Sequence, residues 1–538
     1  MRFPATTRMV TVILFIKRHF FSKRLAAPLL LLVLCSLSIA PYETNSVVQN
    51  RRKVELLYAD ENTIIKDEVT GSDIHHIVGN VKFRMDDNIL TCDSAHYLPD
   101  KMQITAFSKA HIIQGDTLDL FGDYMFYDGR NDIAEAKYNV VLIDKETRLY
   151  TDAIKYDIKN QVAYYNDRGK IINNEKTLTS IVGIYYVNQS LFHFKDSVKV
   201  VNPDYVMTSD TMNYNTETET VFFTGPSEVH GDSLYMYCER GWYETKTKIS
   251  SIWINAFIDN KKNTLKGDSL FYDDSLGFGQ AFRNVVIEDT TNSVFVMGHY
   301  VQYNKIPEKI FATDSAVFLH VSKDDSLFIH GDTLRSITIE QDSLSFRLVK
   351  SYYNSRIFSK DLQAKCDSLV MSFQDTIVRL YYEPVMWSEE NQLTADSMAL
   401  FIKNSQPDKL ELYRKSFVTS QIDTVRYNQI KGNFLTAYFR DNEIYKIDVN
   451  GNGESIYYLL DGEELIGLNK SKFGTMQIFV ENGKVTGTIE DQSPQGVIDP
   501  PDPISQNEPR LDGFMWLEEL RPTDKNDIFR KNSPSLLP

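Results

Sequence analysis

The sequence contains few of the residues from which catalytic and metal-binding sites are built. Its 538 residues include four cysteines and ten histidines, and these follow no HExxH, paired-cysteine or EF-hand spacing. Cys92, Cys238 and Cys366 lie too far apart in sequence to indicate a disulfide framework, so we expect them to be buried apolar residues. We therefore predict no catalytic residue, no metal and no cofactor.

Positive charge is also in short supply. Lys and Arg number 58 against 73 Asp and Glu, which gives a formal net charge of −15. A protein that binds nucleic acid needs patches of Lys and Arg against the phosphates, and none is evident. We therefore expect no nucleic-acid partner, and the acidity suits a β-rich protein whose sheet edges must be kept from aggregating.

Long apolar runs are rare, and the one that occurs lies near the beginning of the chain. Residues 25–40 are apolar and follow Arg18, Lys23 and Arg24. This order is typical of a secretory signal, so we assign residues 1–40 to a signal peptide. An uncleaved anchor is the alternative, although the run is short for a membrane span. Lipid attachment at Cys35 is disfavoured because Leu34 before it is large.

What the sequence does contain is a regular series of tyrosines. Successive gaps in this series are 30, 29, 29, 29, 29, 29 and 31 residues. A fixed period of this length predicts a stack of small repeated units, each burying its apolar face against its neighbours. The eight tyrosines are Tyr97, Tyr127, Tyr156, Tyr185, Tyr214, Tyr243, Tyr272 and Tyr303.

Each unit has the pattern of two β-strands. Asp93, Ala95 and Tyr97 are spaced by two and so share one face of an extended strand. An upstream strand carries apolar pairs such as Val81 and Phe83, and turn-forming residues separate the two strands. Helical periodicity is almost absent from residues 60–490, so we predict an all-β fold. About twelve repeats, with two strands each divided between two facing sheets, would stack to roughly 60 Å.

The period loosens after Tyr303 but continues, so we predict one repeat domain over residues 41–440. Residues 441–492 are expected to form a terminal β segment of the stack, and the Pro-rich residues 493–510 a linker. Residues 511–538 form an apolar island that either caps the open end of the stack or docks a partner. Capping is our preferred interpretation, because the terminal repeats of a stack need a cover.

Two enzyme-like or metal-like patterns are set aside. Residues 231–234 and 267–270 both read Gly-Asp-Ser-Leu, the block that opens one class of hydrolases, and residues 115–118 and 331–334 are near copies. A nucleophile motif occurs once, with a base beside it, whereas this one recurs, so we assign it to turns that begin strands and predict no enzyme. The periodic acidic residues could alternatively bind a row of calcium ions, as in some β-helices, but the glycine-rich pattern of such repeats is missing.

The residues of the unit resemble a known family. The segment GNVKF at 79–83, followed by LTCDSAHY at 90–97, is similar to the repeat of the OstA-like lipopolysaccharide-transport proteins. The likeness covers about residues 55–440 and rests on many copies of a short motif. The chain resembles the periplasmic bridge component of that pathway in an enlarged form, with a stack about twice as long or more.

This resemblance implies a repeat β-jellyroll, a folded-over β-sheet with a solenoid-like stack of about 29-residue repeats. Its open apolar groove would carry the acyl chains of lipopolysaccharide through the periplasm toward the outer membrane. The implied partners are lipopolysaccharide, inner-membrane and outer-membrane transport components, and further copies joined edge to edge.

The candidate groove residues are the apolar positions of the upstream strands. If the two sheets are separated along one edge, these residues line a lipid groove. If the sheets pack closely, these residues form the hydrophobic core. The alternative function is therefore a structural β-rod or surface adhesin without lipid cargo. The candidates are Val81, Phe83, Ile112, Val140, Leu142, Ile171, Val198, Val200, Val229, Ile258 and Ile287.

Overall fold

The computed structural model describes residues 54–500 and 508–531, except residues 117, 233, 323–325, 342–343, 404–405, 463 and 482–483. The predicted signal peptide lies outside the described residues. Within the described ranges no helix is long and apolar enough to cross a membrane. Helical structure there is limited to four short 3-10 turns, at Pro99–Lys101, Val187–Gln189, Glu518–Leu520 and Asp527–Phe529.

The described chain is built from 38 β-strands, which confirms the all-β prediction. The first are β1 Val54–Tyr58, β2 Glu61–Lys66, β3 Asp73–Met85, β4 Asn88–Leu98, β5 Gln103–Gln114, β6 Leu118–Asp128, β7 Ile133–Asp144, β8 Thr147–Asp157, β9 Val162–Tyr165, β10 Gly169–Asn173, β11 Lys176–Ser180, β12 Val182–Tyr186, β13 Leu191–Asn202 and β14 Tyr205–Asn215.

The middle strands are β15 Thr220–Phe223, β16 Ser227–Gly231, β17 Tyr235–Cys238, β18 Arg240–Glu244, β19 Ile249–Asp259, β20 Asn263–Asp273, β21 Phe278–Asp289, β22 Val294–Lys305, β23 Glu308–Thr313, β24 Val317–Val321, β25 Ser326–His330, β26 Thr333–Gln341, β27 Leu344–Phe358 and β28 Leu362–Ser372. The last are β29 Ile377–Tyr381, β30 Val385–Ser388, β31 Asn391–Thr394, β32 Ser397–Lys403, β33 Gln406–Gln421, β34 Tyr427–Arg440, β35 Glu443–Asp461, β36 Glu464–Glu481, β37 Lys484–Asp491 and β38 Gln495–Asp499.

All these strands belong to one antiparallel sheet that folds over on itself. Pairing between β5 and β6 stops after Phe107 and resumes at Ala110, and every full-length neighbouring pair is interrupted in the same way near its middle. In β6, Leu118, Leu120 and Gly122 are buried before the interruption, and Met125 and Tyr127 are buried after it. The two halves of each strand therefore face each other across a common core, as a jellyroll requires.

We call the line of interruptions the crease and the two halves of the sheet wall A and wall B. Wall A contains segments such as 110–114, 118–122 and 140–144, and wall B contains segments such as 103–107, 124–128 and 133–137. The edge opposite the crease, where the turns of the two walls face each other, is the mouth.

The periodic acidic residues lie at the crease. On one strand of each pair two residues adopt left-handed backbone conformations, for example Tyr138 and Asn139 with φ of 63° and 52°. Asn139 Nδ2 donates to Asp123 Oδ2 of the neighbouring strand at 2.6 Å. The same bond recurs from Asn255 to Glu239 at 2.6 Å and from Asn284 to Asp268 at 3.0 Å.

This placement corrects the sequence interpretation of the acidic positions. Asp93 was expected to share a face with Ala95 and Tyr97, but its side chain is 49% exposed at the crease, where it accepts a hydrogen bond from Ser108 Oγ at 2.6 Å. The interruption shifts the phase of the pleat by one residue, so period-two spacing does not hold across it. The acidic residues therefore lie where the sheet folds, rather than in turns that begin strands.

The fold line also changes the dimensions of the stack. Ten strand traversals are split at the crease into two short strands, so the 38 strands represent 28 traversals, each of which crosses both walls. The sequence interpretation gave each wall only one strand per repeat. Because each repeat adds two strands to each wall, the stack extends for roughly 130 Å rather than 60 Å.

The core between the walls is apolar along the stack. Phe83, Leu120 and Leu410 are each fully buried in it. Cys92, Cys238 and Cys366 are buried free thiols, as predicted, and burial raises the pKa of each to about 12. Residues 508–531 form no strand. They lie on the outer surface of wall A, while β38, inside the expected linker, pairs with β36 as the last strand.

The crease generates a stability prediction. We expect Asn139→Ala to lower the free energy of unfolding by about 1–2 kcal/mol, because alanine is strained in the left-handed region and the bond to Asp123 is lost. Asn139→Gly also loses the bond, but glycine adopts the left-handed conformation without strain. It should therefore lower the free energy of unfolding by less. Urea midpoints of the two variants test this, and equal midpoints would contradict it.

Candidate functional site

The periodic tyrosines stand on wall B beside the mouth, and three of them, Tyr156, Tyr185 and Tyr214, bridge it. Tyr185 Oη donates to Asp144 Oδ2 of wall A at 2.5 Å, and Tyr214 Oη to Asn173 Oδ1 at 3.0 Å. Tyr156 Oη donates in the same way to Gln114. Burial raises the pKa of all three tyrosines well above the usual value for a phenol. These bridges hold the two walls together.

Eight of the eleven candidate groove residues lie on the N-terminal side of the cavity, where the walls are closed. Each of their side chains is at most 2% exposed and packs between the closed walls. A contact with lipid there requires the walls to part, and for these positions lipid binding stays a prediction. They are Val81, Phe83, Ile112, Val140, Leu142, Ile171, Val198 and Val200.

Farther along the stack the walls separate around a cavity of about 1090 Å³. The remaining three candidates, Val229, Ile258 and Ile287, line it. Ile258 and Ile287 are only half-buried, whereas their counterparts Leu142 and Val200 are at most 2% exposed. The other apolar lining residues are Leu234, Met236, Leu265, Leu270, Phe271, Ala281, Val294, Val296, Val301 and Ile310.

The walls part where the tyrosine bridges stop. Tyr185 and Tyr214 each bond to a residue 41 positions earlier, but the position 41 before Tyr272 is Gly231, which has no side chain to accept a bond. Tyr272 Oη instead reaches Asp274 of its own wall, at 3.4 Å. Tyr205 Oη, on the cavity, is buried without a hydrogen-bond partner.

Ion pairs across the mouth close both ends of the cavity. At the end nearer the N-terminus, Lys176 of wall A pairs with Glu219 and donates to Thr245 Oγ1 at 2.9 Å. At the other end, Arg347 Nη1 of wall B lies 3.3 Å from Asp289 Oδ2 of wall A. The cavity is thus a bounded compartment with an apolar interior and charged ends.

The rim of the cavity is polar and carries both signs of charge. Lys248, Asp274 and Lys305 are exposed along the wall B side, and Asp232 and Asn260 stand on the wall A side. An apolar interior beneath such a rim suits an amphipathic molecule, with its hydrocarbon inside and its polar group at the mouth. Among the described residues, no group of three or more His, Cys, Asp or Glu is placed to hold a metal ion.

The Gly-Asp-Ser/Thr-Leu copies do not share one structural position. Gly267 and Asp268 lie at the crease, where Asp268 accepts a bond from Asn284, whereas Gly231 and Asp232 lie at a turn on the mouth. Their expected common role in strand-entry turns is therefore wrong. The short block recurs because its residue types suit both kinds of bend.

Comparison with known proteins fits this geometry. Residues 51–210 and 213–311 match the family model described as OstA-like protein. This part of the chain belongs to the OstA-like family. The match includes nearly all of the cavity lining and ends just beyond Ile310. A search of the curated proteins found no match.

The OstA-like match is shorter than the sequence resemblance, which extended to about residue 440. In the structure, residues 312–440 continue the same folded-over sheet. The fold therefore extends beyond the residues that match the family model. Sequence reasoning missed Lys176 and Arg347, which close the cavity. It also missed the polar partners of the tyrosines. The spacing of 41 residues does not identify them reliably, because Asn202 lies 41 positions before Tyr243 and the two form no bridge in the described part of the chain.

The bridges predict a difference between two tyrosines of the same series. Tyr185→Phe removes a hydrogen bond to a carboxylate and should lower the free energy of unfolding by about 1.5–3 kcal/mol. Tyr243→Phe is the matched control. Its hydroxyl has no hydrogen bond among the described residues, so we expect a change within about 0.5 kcal/mol. Chemical denaturation measures both, and equal losses would refute the bridging role.

The buried tyrosines also predict a loss of stability at alkaline pH. Burial raises the pKa of Tyr165 to about 12, and burial with the nearby Asp274 raises that of Tyr272 to about 12. Unfolded tyrosines lose their protons near pH 10, so the unfolded state gains favour as pH rises from about 10 to 12. Melting temperatures should fall over this window, with tyrosinate absorbance appearing as the protein unfolds. Full tyrosinate absorbance from the folded protein would contradict this.

Proposed function

We propose that this OstA-like protein is a periplasmic, non-enzymatic carrier of lipopolysaccharide, which holds the acyl chains of its cargo in the cavity and passes them toward the outer membrane. The observation that carries the proposal is the separation of the walls around Ile258 and Ile287 inside the OstA-like region. A continuous apolar core is interrupted at this point by a compartment that opens to solvent.

The energetics favour a hydrocarbon occupant. Each methylene moved from water to an apolar surface gains about 0.8 kcal/mol, so a lipid with several acyl chains needs a shielded path through the periplasm. Ile258, Leu265 and Ile287 are half-buried in the cavity and lose their remaining exposure when hydrocarbon fills it. Lys248 and Lys305 at the rim supply cations for the phosphate groups of lipopolysaccharide.

The bounded cavity suggests how the rest of the stack takes part. Cargo that moves toward the first strands meets Lys176, then the bridge from Tyr214 to Asn173, then the bridge from Tyr185 to Asp144. Behind these polar bridges the interior is apolar, with Val198 and Val140 among the candidate groove residues. Parting the walls one bridge at a time would extend the apolar surface without unfolding the sheet.

Both ends of the stack are suited to partners. The first strands carry Ile64 and Ile65, which are 56% and 49% exposed, and the last strand carries Val497 and Ile498, which are 62% and 66% exposed. Open strand edges with exposed apolar side chains are templates for pairing with another sheet. They support the proposed contacts with inner-membrane and outer-membrane transport components, or with further copies.

The alternative is a structural β-rod or surface adhesin without lipid. The bridged part of the stack favours it, since the candidate residues there are packed as an ordinary core. In a rod the cavity would be a local packing defect and would remain without lipid.

Photo-crosslinking in cells distinguishes the two functions. A photoreactive residue at Ile287 should give a lipopolysaccharide adduct, while one at Lys155, on the outer surface of wall B, should give none. The same probe at Val140 reports whether the bridged walls part during transport. Absence of an adduct at Ile287 in a folded, exported protein would favour the rod.

Substitution adds a matched pair to this experiment. Ile287→Asp places a charge in the cavity and should reduce adducts from a probe at Ile258 at least tenfold, about 1.4 kcal/mol. Val286→Asp places the same charge one residue away on the outer surface and should leave the adducts unchanged. Equal yields from both variants would argue against lipid in the cavity.

A further inference from the structure

The C-terminal segment, residues 508–530, crosses the outer surface of wall A at a steep angle to the strands. At one end Glu508 Oε2 accepts a bond from Tyr458 Oη of β35 at 2.5 Å. At the other end the ring of Phe529 packs against His330 of β25, with centroids 4.9 Å apart. We call the wall A surface between Tyr458 and His330 the outer strip. It spans many strands and lies on the opposite side of wall A from the core.

Buried glutamine side chains bind the backbone of the segment. Gln429 Nε2 donates to the carbonyl of Pro509 at 3.0 Å, and its Oε1 accepts from the N–H of Leu511 at 2.8 Å. Gln392 repeats this arrangement, donating to the carbonyl of Met515 at 2.8 Å and accepting from the N–H of Leu517 at 2.7 Å. A primary amide placed in this way binds residues i and i+2 of an extended peptide.

Two further polar side chains hold the later part of the segment. Gln363 Oε1 accepts from Arg521 Nε at 2.8 Å, and Arg356 Nη1 donates to the carbonyl of Leu520 at 3.1 Å. Gln363 and Arg356, like Gln392 and Gln429, are at most 4% exposed although they point away from the core. Their burial comes from the segment that covers them.

Aromatic contacts add side-chain recognition. Phe514 and Trp516 both pack on Tyr427, with centroid distances of 5.3 and 5.0 Å. The guanidinium of Arg510 lies over the rings of Tyr427 and Phe514 at 4.9 and 4.6 Å. Such ring and cation–π contacts have preferred geometries, so they select residue types as well as bury area.

The outer strip is apolar where the segment lies. Val385, Trp387 and Phe417 point outward from wall A and are nevertheless at most 5% exposed. On the corresponding outer surface earlier in the stack, Lys170 and Lys199 are exposed to solvent. A strip of this kind is typical of a binding surface.

The segment binds the strip without joining the sheet. Residues 508–531 contribute no strand, and the sheet ends at β38 before the segment begins. Each described hydrogen bond between the segment and the strip involves at least one side chain, and none joins two backbones. Release of the segment would therefore leave the ladder of backbone hydrogen bonds in the walls intact.

We propose that the outer strip is a peptide-binding site, separate from the cavity, with residues 508–530 as its resident ligand in the same chain. It recognises an extended peptide with the pattern Arg-x-x-x-Phe-x-Trp, read from residues 510–516. The C-terminal segment is thus an exchangeable docking module on the side of the stack rather than a cap over its last strand.

The test uses the full chain with a protease recognition sequence in place of residues 502–506. After folding and cleavage, the freed segment is exchanged against a fluorescent synthetic peptide of residues 508–531, and anisotropy gives its rates of binding and release. We expect binding, with release about tenfold faster in Gln392→Ala and in Gln429→Ala, since each loses two hydrogen bonds. Gln302→Ala, on the outer surface of wall B, is the matched control and should release the peptide at the unchanged rate.

A peptide carrying Trp516→Ala tests recognition without altering the folded protein, and it should bind at least tenfold more weakly. Failure of the peptide to bind, unchanged release from both glutamine variants, or loss of β structure when the segment leaves would each overturn the proposal. If instead the intact chain forms a dimer at high concentration and Gln392→Ala abolishes it, the strip binds the segment of a second copy. That result would overturn the proposal that the segment of the same chain occupies it.

Discussion

A sheet with 28 strand traversals has two faces, and an apolar face of that size must be covered for the protein to be stable in water. This chain covers it by folding every strand in half. The crease makes this geometry repeatable, since two residues on one strand of each pair leave the ladder and the pleat resumes with its apolar side turned to the same interior. The bond from Asn139 to Asp123 satisfies polar side chains at a bend where backbone pairing is interrupted. The core, the mouth and the cavity all follow from this fold line.

Once the sheet is folded, hydrogen bonds from Tyr156, Tyr185 and Tyr214 hold the two walls together across part of the mouth. Tyr185 donates a hydrogen bond to Asp144 where the walls are closed, whereas Tyr272 has Gly231 at the corresponding position and the walls there are apart. The same residue type therefore serves as a bridge in one part of the stack and as cavity lining in another. In the proposed function, the bounded compartment would hold acyl chains, and the bridged walls beside it would part to extend their path.

Wall A differs in chemistry between its inner and outer surfaces. Its inner surface lines the cavity at Ile258 and Ile287, which suits hydrocarbon. Its outer surface, farther along the stack, presents Gln392, Gln429 and Tyr427 to a peptide. Because successive strand residues point to opposite faces, one strand can contribute to both surfaces without compromise. The two proposed binding surfaces, one for lipid and one for a peptide, are thereby separated by the thickness of a single sheet.

The sequence by itself determined the strand character, the repeat and the OstA-like resemblance, because these depend on local alternation and on a period that needs no partner to be seen. It also determined that Val81 and Val140 face the interior. It placed Asp93 on the wrong face and halved the length of the stack, because a phase shift inside a strand leaves no mark in period-two spacing. Only the tertiary structure decided where the walls separate and where residues 508–530 lie. Both depend on residues distant in sequence, such as Tyr185 with Asp144 and Gln392 with Met515, which become neighbours only when the stack is complete.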